Sequence, residues 1–154
     1  MPRVAGVSSP DRALIQAGVV LFLLGLITGF AVPVLPVPRL GLASHLEGLM
    51  NGLFLMALGL IWTRLTLPAW AGSLAFFAAL YGAFANWLAT LLSAIWGAAG
   101  LMPLAGGGAT GSPGAETVVA VLLGSLSLAM VLVCLLTLAG LRGSSPITSR
   151  QGDQ

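Results

Sequence analysis

The sequence predicts an all-α integral membrane protein, a four-helix bundle that forms one membrane domain over residues 1–154. Three observations lead to this prediction. Hydrophobic residues make up 58% of the chain and charged residues only 6%, with a mean hydropathy of +1.04, whereas about a quarter of a soluble domain is charged. The apolar residues form four long runs, each close to the roughly 20 residues that span a bilayer. Proline-rich or glycine-rich segments separate these runs.

We expect the four helices at about residues 10–31, 42–62, 69–98 and 116–141, followed by a polar tail at 142–154 that we expect to be disordered. Ser9-Pro10 suits the start of the first helix, because proline is tolerated in a first turn. The PVLPVPR segment predicts a rigid, extended link. The glycine-rich segment before Glu116 predicts a loop that crosses the bundle, and Glu116 then lies where the helix dipole favours a carboxylate.

The first apolar run exceeds a signal-peptide core and no Ala-x-Ala cleavage site precedes the prolines, so we expect it to remain in the mature chain. The arginines are unevenly divided between the two ends of the predicted bundle. Arg39 is at one end, and five are at the other: Arg3, Arg12, Arg64, Arg142 and Arg150. The positive-inside rule therefore predicts that both termini are cytoplasmic. No basic cluster indicates nucleic-acid binding.

Two polar segments interrupt the apolar runs. The first, Arg39 to Phe54, carries His45, Glu47 and Asn51, and the second extends from Tyr81 to Gly97. Ionisable groups within a membrane segment are costly and mark functional sites by default. We interpret the two segments as two walls of one site.

His45 is the sole histidine and could hydrogen-bond a loop carbonyl near the membrane surface or bind a cofactor. One histidine cannot build a zinc site, but it suffices as the axial ligand of a b-type haem. Glu47 is either a proton donor, because burial favours its neutral form, or an ion-pair partner of Arg39. The single cysteine, Cys134, excludes an internal disulfide, and we expect it to be a small core residue.

Asn51 and Asn86 can both donate and accept hydrogen bonds, so they could orient a small polar group or simply bind neighbouring helices. Tyr81 and Thr90 are further candidates for contact with a substrate. The glycines Gly48, Gly52 and Gly59 share a face of the second helix with His45. That face predicts either a seam for another helix or space for a flat group that the histidine holds. On the third helix a small and polar stripe should face protein: Gly82, Asn86, Thr90, Ser93 and Gly97.

Three blocks carry a resemblance to a known family. They are HLEGLMNG from His45, YG-x-FANWLAT from Tyr81 and WGA-x-G-x-MP from Trp96, and in this order and spacing they resemble hydroxylaminobenzene mutase. The resemblance implies a membrane-associated isomerase of bacterial nitroaromatic degradation, which rearranges the small aromatic hydroxylamine hydroxylaminobenzene to 2-aminophenol. It also implies a bacterial inner-membrane location.

The chain more distantly resembles the styrene oxide isomerases, four-helix membrane proteins with a histidine, five residues and then Asn-Gly. Here these are His45 and Asn51-Gly52, and Asn86 matches an asparagine of their third helix. The resemblance implies a trimer that holds haem b at subunit contacts, with His45 as iron ligand, ferric iron as Lewis acid and Asn51 orienting substrate. Where that family has a tyrosine one turn after the third-helix asparagine, this chain has Thr90, so the substrate pockets need not be identical.

The competing hypothesis is a non-enzymatic accessory or assembly subunit of a membrane complex, whose glycines and asparagines only pack against partners. An enzyme should have a dry site in which a Lewis acid weakens the N–O bond of the arylhydroxylamine and the departing oxygen stays beside the ortho carbon. A haem spectrum together with turnover would distinguish the two hypotheses.

Overall fold

The structure, a computed structural model, describes residues 9–142, which are 84% helical and contain no strand. The helices are α1 (Pro10–Ala31), α2 (Pro38–Ile61), α3 (Ala69–Trp96), the one-turn α4 (Pro103–Gly106) and α5 (Pro113–Leu141). In this described part, α1, α2, α3 and α5 are long and apolar enough to cross a membrane. The predicted fold class is confirmed.

Several boundaries differ from the prediction. α2 begins at Pro38, because a proline in the first turn starts a helix as well as it ends the previous one. The link before α2 is only partly extended, since Val32–Val34 form a 3-10 turn. α3 stops at Trp96 because Gly97 takes a left-handed conformation with φ of 68°. The predicted tail lies outside the described residues, except for Arg142.

α1 and α2 pack backbone to backbone along a seam of glycines. A Cβ atom on Gly48 would lie 2.5 Å from the Gly25 Cα, and one on Gly52 would lie 2.8 Å from the Gly18 carbonyl oxygen. Both distances are shorter than any van der Waals contact, so only glycine fits. The second-helix glycines therefore form a helix-packing seam that α1 fills, and the interpretation as space for a flat group is wrong.

α3 contacts α2 with one face and α5 with another. The main core cluster includes Leu14 and Leu21 of α1, Leu55 of α2, Ala83 of α3 and Val133 of α5. The predicted small and polar stripe on α3 faces protein from Gly82 to Ser93, whereas Gly97 ends the helix instead. Large apolar side chains remain exposed along the outside of the long helices, as expected for a surface in contact with lipid.

Glu116 anchors the connection between α3 and α5. Its carboxylate accepts hydrogen bonds from the backbone N–H groups of Ala99 (3.1 Å), Gly100 (3.0 Å) and Gly111 (2.9 Å). The sequence predicted only an interaction of this residue with the helix dipole. At the same end of the molecule, the Val37 N–H donates to the Ala94 carbonyl at 3.1 Å. These bonds hold the connecting segments against the start of α5 and the end of α3.

The seam predicts a marked difference between two glycine-to-alanine substitutions. Gly48→Ala should destabilise the protein by about 1–3 kcal/mol, because the added methyl group meets backbone atoms that cannot move aside. Gly124→Ala is the matched control, since a Cβ there meets nothing within 4 Å and alanine favours a helix interior over glycine. Thermal unfolding of both variants in the same detergent measures the difference. Equal melting temperatures would contradict the seam.

Candidate functional site

The polar side chains of α2 point in two directions. Glu47 contacts Asn86 of α3 and is also bonded to Asn51, while His45 faces α1, where it contacts Gly25. The division follows from helix geometry, because residues two apart in a helix project to nearly opposite sides. The structure thus brings Glu47, Asn51 and Asn86 together and places His45 on the other side of α2.

Glu47, Asn51 and Asn86, here named the Glu47 cluster, share one carboxylate oxygen. Glu47 Oε2 accepts from Asn51 Nδ2 at 3.0 Å and from Asn86 Nδ2 at 2.6 Å. Asn51 Nδ2 also donates to the Glu47 carbonyl at 2.9 Å. Asn51 is only 6% exposed, and the other two members are partly buried. Among residues 9–142 the carboxylate pairs with the two asparagines. Arg39 is exposed, so the predicted alternative of an ion pair between Glu47 and Arg39 is not what the structure shows.

A second group of hydrogen bonds joins α1, α2 and α3 beside this cluster. The indole N–H of Trp87 donates to Thr28 Oγ1 at 3.0 Å, and the Ser44 hydroxyl donates to the Trp87 carbonyl at 3.0 Å. Thr90 donates to the carbonyls of Asn86 (2.9 Å) and Trp87 (3.0 Å). Sequence reasoning missed Thr28, Ser44 and Trp87. Their signal was a hydroxyl or indole N–H within an apolar run, where such groups require a partner.

His45 is held from one side by the backbone of α1. Its Nδ1 lies 2.8 Å from the Gly25 carbonyl oxygen, and because a carbonyl only accepts, Nδ1 carries the hydrogen. The ring fits because residue 29 is glycine, where a Cβ would lie 2.7 Å from Nδ1. His45 also lines a groove of about 380 Å³ on the outside of α1 and α2, with Leu26, Phe30 and Pro33 among its walls.

This arrangement fits an axial haem ligand. A metal-binding histidine usually donates its other ring N–H to a carbonyl or carboxylate, which leaves the second nitrogen basic. The apolar walls of the groove suit a porphyrin. No group of three or more histidine, cysteine, aspartate or glutamate residues occurs among residues 9–142, so a metal held by His45 would depend on that single side chain from this chain.

The remaining candidates lie elsewhere. Tyr81 is 45% exposed, and its hydroxyl pairs with the Ser125 hydroxyl of α5 at 2.5 Å, away from the Glu47 cluster. Thr90 bonds to its own helix and supports the backbone that carries Asn86. Cys134 is exposed on α5, so the expectation of a core residue is wrong. Helix 5 packs on α3 alone along much of its length, which leaves the cysteine face uncovered.

The Glu47 cluster offers a carboxylate beside amide groups at the junction of two helices. A carboxylate there can accept a proton or a hydrogen bond, and it can stabilise positive charge on a neighbouring group. The two asparagines restrict its position, because both donate to the same oxygen. The cluster therefore combines a proton-carrying group with fixed geometry, which is what proton transfer to a bound molecule requires.

Comparisons with known proteins bear on this arrangement. Residues 10–142 match the styrene oxide isomerase family. Hydroxylaminobenzene mutase HabB of Ectopseudomonas oleovorans is 55% identical over 134 residues, which cover 86% of this chain and 82% of HabB. Hydroxylaminobenzene mutase HabA of the same organism is 47% identical over 130 residues, covering 83% of this chain and 96% of HabA. No solved structure gives a significant match. The chain belongs to the styrene oxide isomerase family and is an isomerase similar to the hydroxylaminobenzene mutases.

Proposed function

We propose that this protein rearranges hydroxylaminobenzene to 2-aminophenol within the membrane, by transfer of the hydroxyl group from nitrogen to the neighbouring ring carbon. The observation that carries the proposal is the 55% identity to HabB across 86% of the chain. Four helices are long and apolar enough to cross a membrane, and a site among them would hold little water. Dryness is needed because free water would trap the cationic intermediate and release other isomers.

The rearrangement leaves the atomic composition unchanged. The N–O bond breaks and a bond forms between the oxygen and ring carbon C2. C2 loses its hydrogen as a proton, and nitrogen gains one proton. No oxidant or reductant is consumed. One acid–base group near the ring can therefore complete the reaction by accepting the C2 proton and returning it to nitrogen.

Glu47 is the residue that we propose for this acid–base role. One oxygen of its carboxylate is held by two asparagine amides, so the other oxygen is left to accept the C2 proton and then donate it to nitrogen. While ionised, the carboxylate also stabilises the positive charge that the ring acquires as the N–O bond breaks. Asn51 and Asn86 position Glu47 and orient the polar end of the substrate, and Thr90 supports Asn86 from one turn further along the helix.

We also propose that His45 holds haem b in the groove of α1 and α2, in a homo-oligomer that we expect to be a trimer. The hydrogen bond to Gly25 and the apolar groove support this role. When bound, the haem iron would supply a Lewis acid for the oxygen that leaves nitrogen. The groove lies on the outside of the chain, so a second copy could cover a bound porphyrin.

The proposed location is the bacterial inner membrane, with both termini in the cytoplasm. Arg12, Arg64 and Arg142 support this orientation, since they lie at the ends of spanning helices on one side of the molecule, whereas Arg39 is at the other side.

The function is tested by supplying the purified protein with hydroxylaminobenzene that carries ¹⁸O in its hydroxyl group, in unlabelled water. We expect 2-aminophenol that retains the label, because the oxygen moves within one molecule. Product without the label would contradict intramolecular transfer, and absence of 2-aminophenol would contradict the proposed reaction.

Substitution of the asparagines should lower turnover while retaining cofactor. Removal of one hydrogen bond to the cluster costs about 0.5–1.5 kcal/mol, so we expect Asn51→Ala and Asn86→Ala each to reduce kcat roughly tenfold. The ratio of 2-aminophenol to 4-aminophenol should also fall, because a loosely held substrate releases its oxygen from the ortho position. Chromatography of the products measures both effects. Unchanged rate and unchanged isomer ratio would reduce these asparagines to helix-packing residues.

His45→Ala should remove the haem absorption band and the activity together, while the melting temperature shows that the protein is still folded. Met50→Leu is the control, because Met50 is an exposed α2 side chain whose sulfur could otherwise bind iron. A wild-type protein that lacks haem after expression with ample haem supply would exclude the cofactor role, as would a His45→Ala variant with an unchanged spectrum.

The orientation is tested with a reporter fused after Gln154 that is active in only one compartment. We expect a cytoplasmic signal, because the end of the molecule that holds Arg12, Arg64 and Arg142 should remain inside. A fusion inserted in the segment between α3 and α5 serves as the opposite control and should report the periplasm. A periplasmic signal from the C-terminal fusion would reverse the proposed topology.

A further inference from the structure

In the Glu47 cluster, both amide NH₂ groups donate hydrogen bonds within the cluster, whereas several of its oxygen atoms accept none from the residues that the structure describes. Asn51 Nδ2 donates to both the carbonyl and Oε2 of Glu47, and Asn86 Nδ2 donates to the same Oε2. An ionised carboxylate can only accept hydrogen bonds, so each asparagine must turn its NH₂ group toward Glu47. The oxygen of each amide consequently points away from the carboxylate.

Three oxygen atoms of the cluster are left over: Glu47 Oε1, Asn51 Oδ1 and Asn86 Oδ1. Within residues 9–142, none of them takes part in the side-chain hydrogen bonds of the Glu47 cluster. The one fully enclosed side-chain polar atom without a partner in that range is Thr137 Oγ1. The three oxygens therefore keep some accessible surface, although Asn51 as a residue is only 6% exposed.

We infer that the Glu47 cluster selects substrates that donate hydrogen bonds, and so favours arylhydroxylamines over epoxides. This inference rests on the proposed function, whose substrate class it explains. Hydroxylaminobenzene carries one N–H and one O–H donor, which can bond to two of the three acceptor oxygens. An epoxide offers only oxygen lone pairs, which would face acceptor atoms and leave them without partners, at a cost in binding.

We expect residue 47 to decide this preference. The orientation of both amides depends on the charge and valence of residue 47. With glutamine at position 47, the glutamine oxygen would accept from the two asparagines and its NH₂ group would point outward. The side chain at position 47 would then present a hydrogen-bond donor where Glu47 presents the acceptor Oε1, and its shape would hardly change.

Equilibrium binding of compounds that cannot react tests the inference in full-length protein in lipid nanodiscs, with empty nanodiscs subtracted. Aniline donates two N–H bonds and N,N-dimethylaniline donates none. Toluene and cumene have the same two shapes without nitrogen, so their affinity ratio corrects for the bulk of the added methyl groups. After this correction, wild type should favour aniline by about tenfold or more, the effect of one lost hydrogen bond to a buried partner.

Glu47→Gln should reduce the corrected preference to about threefold or less, because the outward acceptor becomes a donor. Ser127→Ala is the matched control on α5, where the Ser127 hydroxyl bonds only to its own helix at Leu123, and it should keep the wild-type preference. A corrected preference near one in wild type would overturn the inference even if Glu47→Gln failed to fold. An equal preference in wild type and Glu47→Gln would overturn it as well.

The binding measurements and the assay for 2-aminophenol test the inference and the proposed function separately. Loss of donor preference in a protein that still forms 2-aminophenol would overturn the inference alone. A clear donor preference in a protein that forms no 2-aminophenol would contradict the proposed reaction alone.

Discussion

The close approach of α1 and α2 at Gly25 and Gly48 is the constraint on which the site depends. At this crossing a single added carbon atom would lie 2.5 Å from the opposite backbone. Helices in a bilayer gain little from the hydrophobic effect when they associate, so contact between small residues must provide the attraction. Because the backbones touch, the Gly25 carbonyl reaches the His45 ring and the Thr28 hydroxyl reaches Trp87.

As a consequence, α2 lies between His45, which faces α1, and Glu47, which faces α3. Its glycine face is closed by α1, and the groove beside His45 lies where α1 ends, next to Phe30 and Pro33. Its other polar face lies against α3, where Glu47 meets Asn86. His45 and Glu47 of one chain are therefore separated by α2 itself. A haem on His45 and the carboxylate of Glu47 would act on the same substrate only if the two residues came from neighbouring copies in the proposed oligomer.

The Glu47 cluster also shows how a membrane helix can carry a carboxylate. A charged group without partners in hydrocarbon is strongly disfavoured, but here one oxygen accepts two amide hydrogen bonds and the residue is not fully enclosed. The arrangement reduces the cost of burial and, at the same time, determines the direction of both amides. Stability and recognition thus depend on the same three side chains.

The sequence by itself determined the fold class and the four spanning helices, because composition and proline position are local properties. It named Arg39 as a possible partner of Glu47, whereas the structure pairs Glu47 with Asn51 and Asn86. It also predicted that the polar segments carrying Glu47 and Asn86 would face each other, and the structure joins these two side chains by a hydrogen bond. Tertiary structure alone decided the side to which His45 turns, the partner of the glycine seam, the contact of Tyr81 with α5 and the three N–H groups that Glu116 binds. Each of these depends on which helix lies alongside which, and one helical sequence is compatible with several neighbours.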